Sequence, residues 1–150
     1  MRRFVIKRSF VALAGIIVIG VFACDSSSVA GPAAGSYGLS AVLSDTGNPT
    51  PVPATLPRYG DGDTLHVLGG AFTLGPERSW HWQRTAELIH FEERVPQELE
   101  LSGHYTARGQ GDGVMLDLYP GQPILANIPG SAFIRHDSLF YGAGIFTRAR

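Results

Sequence analysis

The chain has 150 residues, a formal net charge of −1 and a single cysteine. Its length suits one domain, and a hydrophobic fraction of 44% is enough to build a core, which excludes disorder along the whole chain. One cysteine excludes a disulfide-stapled miniprotein and a CxxC-type zinc site, since each needs more than one thiol.

The charge is unevenly placed. Arg2, Arg3, Lys7 and Arg8 are the only charged side chains of positions 1–23, and setting these four aside leaves 8 basic against 13 acidic residues, a net of −5 for the remainder. No lysine follows Lys7. Phe10 to Ala23 is an apolar run of 14 residues, short of the roughly 18 that cross a bilayer. Behind a basic n-region, such a run fits the h-region of a signal peptide. The residues Val21-Phe22-Ala23-Cys24 resemble the lipobox of bacterial lipoprotein signal peptides. The resemblance implies removal of the signal helix over 1–23, lipid on the Cys24 thiol and acylation of the new amino terminus. Each buried methylene contributes about 0.8 kcal/mol, so one acyl chain anchors marginally and two or three hold stably. A cleaved signal with a free Cys24, and a plain transmembrane anchor, are the two alternatives. Asp25 resembles the aspartate that retains lipoproteins in the inner membrane of enteric bacteria, but that rule is specific to those organisms, and inner and outer membrane both stay open.

Residues 24–34 hold the lipidation cysteine and a small, polar stretch that cannot bury a core and reads as a tether. A folded domain is expected over 35–150. It lacks heptads and repeats of 20–50 residues; its recurrent pattern is alternation at period two, broken by glycine, aspartate and proline. Strands are predicted over Ser36–Leu43, Thr64–Leu74, Ser79–Leu88, Glu98–Arg108, Val114–Tyr119, Ile124–Ile134, Ser138–Tyr141 and Ile145–Arg148. Even positions of the third are mostly apolar and odd positions of the fourth are apolar or small, as a sheet with one wet face requires. Gly69-Gly70 predicts a bulge. Gly75–Arg78, Gly109–Gly113 and Arg135–Asp137 are short enough for hairpins. The fold class is therefore all-β: an eight-stranded antiparallel up-and-down barrel, which leaves no exposed sheet edge, with a flattened sandwich as the alternative. The segment Asn48 to Pro57, with four prolines, is expected to be a long first loop over one mouth.

Gly35-Ser36-Tyr37-Gly38-Leu39, the Pro-Val-Pro-Ala-Thr-Leu-Pro segment, Val67 to Leu74, Gly103-His104-Tyr105-Thr106 and Phe146-Thr147-Arg148 together resemble the small lipocalin-like barrel lipoproteins of bacteria. The resemblance spans most of 35–150 and implies a lipocalin-like barrel on the outer side of the cytoplasmic membrane, within the bacterial cell envelope. Members of that group are largely uncharacterised, so it implies a fold and no particular activity. The hairpin Gly75-Pro76-Glu77-Arg78 departs from the more usual Asp-Gly turn, and two tryptophans stand where smaller residues are common.

Alternation points Tyr37, Leu39, Phe72, Trp80, Trp82, Leu99, Leu101 and Tyr105 into the barrel, with Arg84 on the same face as a carboxylate or phosphate partner. An interior of this size either packs solid or holds one small ligand. His81 and His104 fall on the outer face of neighbouring strands, near enough across a hairpin closing through His90–Gln97 to share a metal ion; without a third ligand they read as independent. Asp61-Gly62-Asp63 and Gly109 to Gly113 lack the full calcium-loop spacing and read as turns. Glu92, Glu93, Glu98 and Glu100 read as a solvated acidic face, whereas acid and base catalysis needs a buried member. No Gly-x-Ser-x-Gly elbow, P-loop or Rossmann glycine pattern occurs. A net of −5 after position 23, without lysine, disfavours nucleic acid. Neither a metal nor a cofactor is expected. The function expected is non-enzymatic: a membrane-tethered barrel binding a small apolar or amphipathic molecule. The alternative is a solid barrel that meets another envelope protein through its outer face or the 48–57 loop, as an inhibitor or assembly factor.

Overall fold

A computed structural model describes residues 34–57, 63–122 and 128–150. The signal segment 1–23, Cys24 and the tether as far as residue 33 lie outside the described residues, as do Asp61 and Gly62. Ten strands run in order: β1 (Gly35–Leu43), β2 (Pro49–Pro51), β3 (Ala54–Pro57), β4 (Thr64–Leu74), β5 (Ser79–His90), β6 (Glu93–Gln110), β7 (Gly113–Pro120), β8 (Ser131–Arg135), β9 (Ser138–Tyr141) and β10 (Gly144–Arg148). There is no helix among the described residues.

From β4 to β10 each strand pairs antiparallel with the next; β10 then pairs with β1, and β1 with β4. This closes an eight-stranded up-and-down barrel of β1 and β4 to β10. The paired alternation explains it. Trp80, Trp82 and Ala86 of β5 are buried while Gln83 and Thr85 are exposed, and on β6 Tyr105 is buried between exposed His104 and Thr106. The register Trp82↔Leu101 and Trp80↔Gly103 puts these apolar sets on one face. The β4 register slips between Val67 and Gly69, so Leu68 is extruded to 40% exposure while Val67 and Phe72 both stay buried. A second slip, between Leu39 and Ala41 on β1, leaves Val42 buried. Two such bulges bend the strands enough for the sheet to meet itself.

Three differences from the sequence reading have physical causes. The 48–57 segment is not a loop over a mouth. Beyond Gly38 and Ala71 the β1 and β4 strands separate, and β2 pairs with Ala41–Leu43 while β3 pairs with Thr64–Val67. The chain steps between these two edges at Val52-Pro53, a cis peptide. Prolines are tolerated here because each short strand pairs on one side only. Second, β5 and β6 run on to a two-residue turn, Phe91-Glu92, with both residues at positive φ (44° and 77°), so the loop expected over His90–Gln97 is strand. Third, β8 is Ser131–Arg135 instead of Ile124–Ile134; residues 128–130 are irregular and 123–127 lie outside the described residues.

The interior is divided. At the end where β1 begins, Tyr37, Phe72, Trp80 and Tyr105 pack with Leu116, Leu139 and Phe146 into one solid cluster. Phe72 is its hub: its ring stacks on Trp80 (5.9 Å between centroids) and takes Tyr141 and Phe146 edge-on at 5.3 and 6.0 Å. Gly103 is required where β6 bends here, because a Cβ on it would lie 2.0 Å from the Tyr119 carbonyl oxygen. At the other end a small second cluster of Val42, Ala54 and Val67 seals the split seam beneath β3.

Candidate functional site

The nine residues expected to face the interior fall into two groups. Tyr37, Phe72, Trp80 and Tyr105 belong to the solid cluster and are at most 2% exposed. The Trp80 indole N–H donates to the His104 carbonyl at 2.9 Å, and the Arg148 guanidinium carbon lies 5.9 Å from the centre of the Tyr37 ring. Burial raises the Tyr37 and Tyr105 phenols above their ordinary range.

Leu39, Trp82, Arg84, Leu99 and Leu101 line a cavity of about 430 Å³ above that cluster. Val42, Val67, Tyr141 and Phe146 complete most of its apolar wall, and Leu56 of β3 contributes from the seam. Its size falls within the range of small-molecule sites, roughly 300–1,000 Å³. Leu99 is 44% exposed and marks the rim. Arg84 and Leu56 also line an outer depression with Asp45, Pro57 and Gln97.

The polar groups of the cavity are few. The Arg84 guanidinium carbon lies 5.8 Å from the Trp82 ring centre, and Trp82 meets the Tyr141 ring edge-on at 5.5 Å. Trp82 Nε1 and the Tyr141 hydroxyl are both closed to solvent and have no hydrogen-bond partner among the described residues. Burial alone pushes the Tyr141 phenol up to about 12, so it stays protonated and able to donate at any physiological pH. Two neighbouring indoles on one strand face thus differ: Trp80 is satisfied by the backbone, Trp82 is not.

Sequence reasoning missed Tyr141, Val42, Val67 and Leu56. Leu139 and Tyr141 share a parity within the short predicted strand, and that signal was enough to place Tyr141 inside. Val42 and Val67 lie beyond bulges that break simple alternation, and Leu56 sits in a proline-rich stretch without periodicity.

Outside the barrel, His81 and His104 are diagonal neighbours, in the register His81↔Ser102 and Ser79↔His104. His81 Nε2 lies 2.7 Å from Glu100 Oε1. Among the described residues no group of three or more His, Cys, Asp or Glu could hold a metal ion. Asp63 pairs with His90, and Asp112 pairs with Arg135 at 2.6 Å. Glu92, Glu93, Glu98 and Glu100 are exposed, and none lines the cavity. No family model, curated protein or solved structure matches the chain.

Proposed function

We propose that this protein is a lipid-anchored, non-enzymatic barrel of the bacterial cell envelope, related to the lipocalin-like lipoproteins, that binds one small apolar or amphipathic molecule. The supporting observation is the apolar cavity of about 430 Å³, lined by Trp82 and Leu101 and floored by the Phe72 cluster. Anchoring rests on the lipobox-like Val21-Phe22-Ala23-Cys24. Titration with a hydrophobic dye is expected to give a saturable change in tryptophan emission, because Trp82 lines the site. A linear, non-saturating response sinks the binding reading. Labelled palmitate is expected to enter the protein and not its Cys24→Ala variant; equal incorporation refutes the anchor.

A second reading, in which the barrel meets another envelope protein, draws on the Phe91 hairpin tip, 82% exposed. The 48–57 segment carries it less well, since its residues are taken up by β2 and β3. A stoichiometric protein partner recovered from envelope extracts, without co-purifying lipid, favours this second reading.

A further inference from the structure

The outer wall of the barrel is not uniform. Outward positions of β5 and β6 hold His81, Gln83, Thr85, Glu98 and Glu100, the polar set that a wet face calls for. Across the ring the corresponding positions are apolar. Met115 of β7 pairs with Phe133 of β8, Phe133 with Phe140 of β9, Phe140 with Ile145 of β10 and Ile145 with Ala41 of β1. Their chain neighbours Leu116, Ile134, Leu139 and Phe146 are at most 5% exposed and fill the core, so alternation turns this whole row outward. The Phe133 and Phe140 ring centres lie 6.5 Å apart, and Phe140 is 37% exposed. Single apolar residues on a surface mean little, whereas a contiguous row across five strands marks an interaction surface. Charge divides the same way. Residues 63–104, with β4, β5 and the first part of β6, carry seven acidic and three basic side chains; residues 105–150 carry three acidic and four basic. In the closed ring β9 stands opposite β5.

We propose that this outer row seats on the bilayer that holds the lipid anchor, so that the barrel lies on its side with β9 against the head groups and β5 turned away. The proposal rests on the Cys24 anchoring reading above and not on ligand binding. Cys24 and Gly35 are 11 positions apart, a span of at most about 40 Å even when fully extended. The tether enters through β1, which itself supplies Ala41 to the row, so this wall reaches the surface without the chain wrapping round the barrel. Anchoring makes the contact intramolecular, and at millimolar effective concentration a weak face is enough. The apolar side chains gain by entering the headgroup boundary. An anionic surface repels the acidic β5 side and not this one.

Two tryptophan reporters in the full chain test this, Phe140→Trp on β9 and Gln83→Trp on the outward face of β5. The proteins are placed, at fewer than one chain per disc, in nanodiscs of phosphatidylglycerol and phosphatidylcholine brominated near the head group. Trp80 and Trp82 emit in both, and the unsubstituted chain supplies that background. An interfacial face sits about 5–10 Å into the headgroup boundary, so Phe140→Trp is expected to be quenched at least about twofold more than Gln83→Trp. Phe133→Trp reports on the same row should Phe140→Trp fail to fold. Equal quenching of the two positions, or none at either, overturns the proposal and leaves the anchor in place. If the row is unquenched and the chain forms a dimer in detergent that Phe140→Asp splits, the face belongs to a second copy and the proposal is overturned. A chain that does not stay with the discs overturns the anchoring reading, and this docking with it.

Discussion

Tyr141 shows how one side chain can be costly to the fold that buries it. Its hydroxyl is buried without a partner, so Tyr141→Phe should raise stability by about 1 kcal/mol, the reverse of the usual effect of a core substitution. Denaturant midpoints of the two proteins measure this directly. The pH dependence follows the same atom. Burial raises the phenol from 10.0 to about 12 in the folded state, so above pH 10 the unfolded chain loses this proton first. Stability is therefore full below about pH 10 and falls as pH rises towards 12. Tyr141 accounts for roughly 2–3 kcal/mol of that loss. Tyr37 and Tyr105 act in the same direction, so the Tyr141→Phe variant should show a shallower alkaline decline and not a flat one. Parity alone told which side chains point inward, and it was right for Trp82, Arg84 and Leu101. It could not distinguish Trp80 from Trp82, because that difference lies in whether a carbonyl of the neighbouring strand is within reach, as the His104 carbonyl is for Trp80.

The β5–β6 hairpin is the longest pairing of the molecule, twelve residue pairs from Ser79↔His104 to His90↔Glu93. It closes on two non-glycine residues at positive φ, Phe91 and Glu92. Left-handed backbone is costly for such residues, and two-residue hairpins of this kind favour Asn-Gly. Replacing Phe91-Glu92 by Asn-Gly should stabilise the protein by about 1–2 kcal/mol, readable as a higher denaturant midpoint with an unchanged slope. A lower midpoint would show that Phe91 contributes packing that its 82% exposure conceals. The same element explains why the sequence reading stopped short: Phe91 to Gln97 mixes charge, proline and aromatic residues without the clean alternation of Glu98–Arg108, and its pairing is dictated by register carried up from the barrel wall. The β2 and β3 strands were illegible for a related reason. Proline suppresses strand expectation, and only the parting of β1 from β4 creates the edges on which these strands lie.

Across the whole molecule, the two halves of the interior should differ in how firmly they hold. Phe72, fully buried and touching Trp80, Tyr141 and Phe146, anchors the solid half. Phe72→Ala should cost about 3–5 kcal/mol. Leu101→Ala, beside the cavity and partly exposed, should cost about 2 kcal/mol or less, since its removal enlarges a space that already exists. Thermal unfolding of the two variants checks the order; equal losses would mean that the cavity end is as tightly packed as the floor. The eight-strand closure itself was legible, because alternation, short turns and a length near 115 residues leave few other all-β arrangements. Its seam is where the shape has a further consequence. β1 is held by β10 on one side, as in the bond from Ser40 Oγ to the Ile145 carbonyl across 105 positions, and by β4 on the other. The ring thus cannot shut until its last strand, β10, has been made and released. Before then β1 and β9 present bare backbone to their surroundings, and folding is bound to the slow, distant contacts that close a large loop.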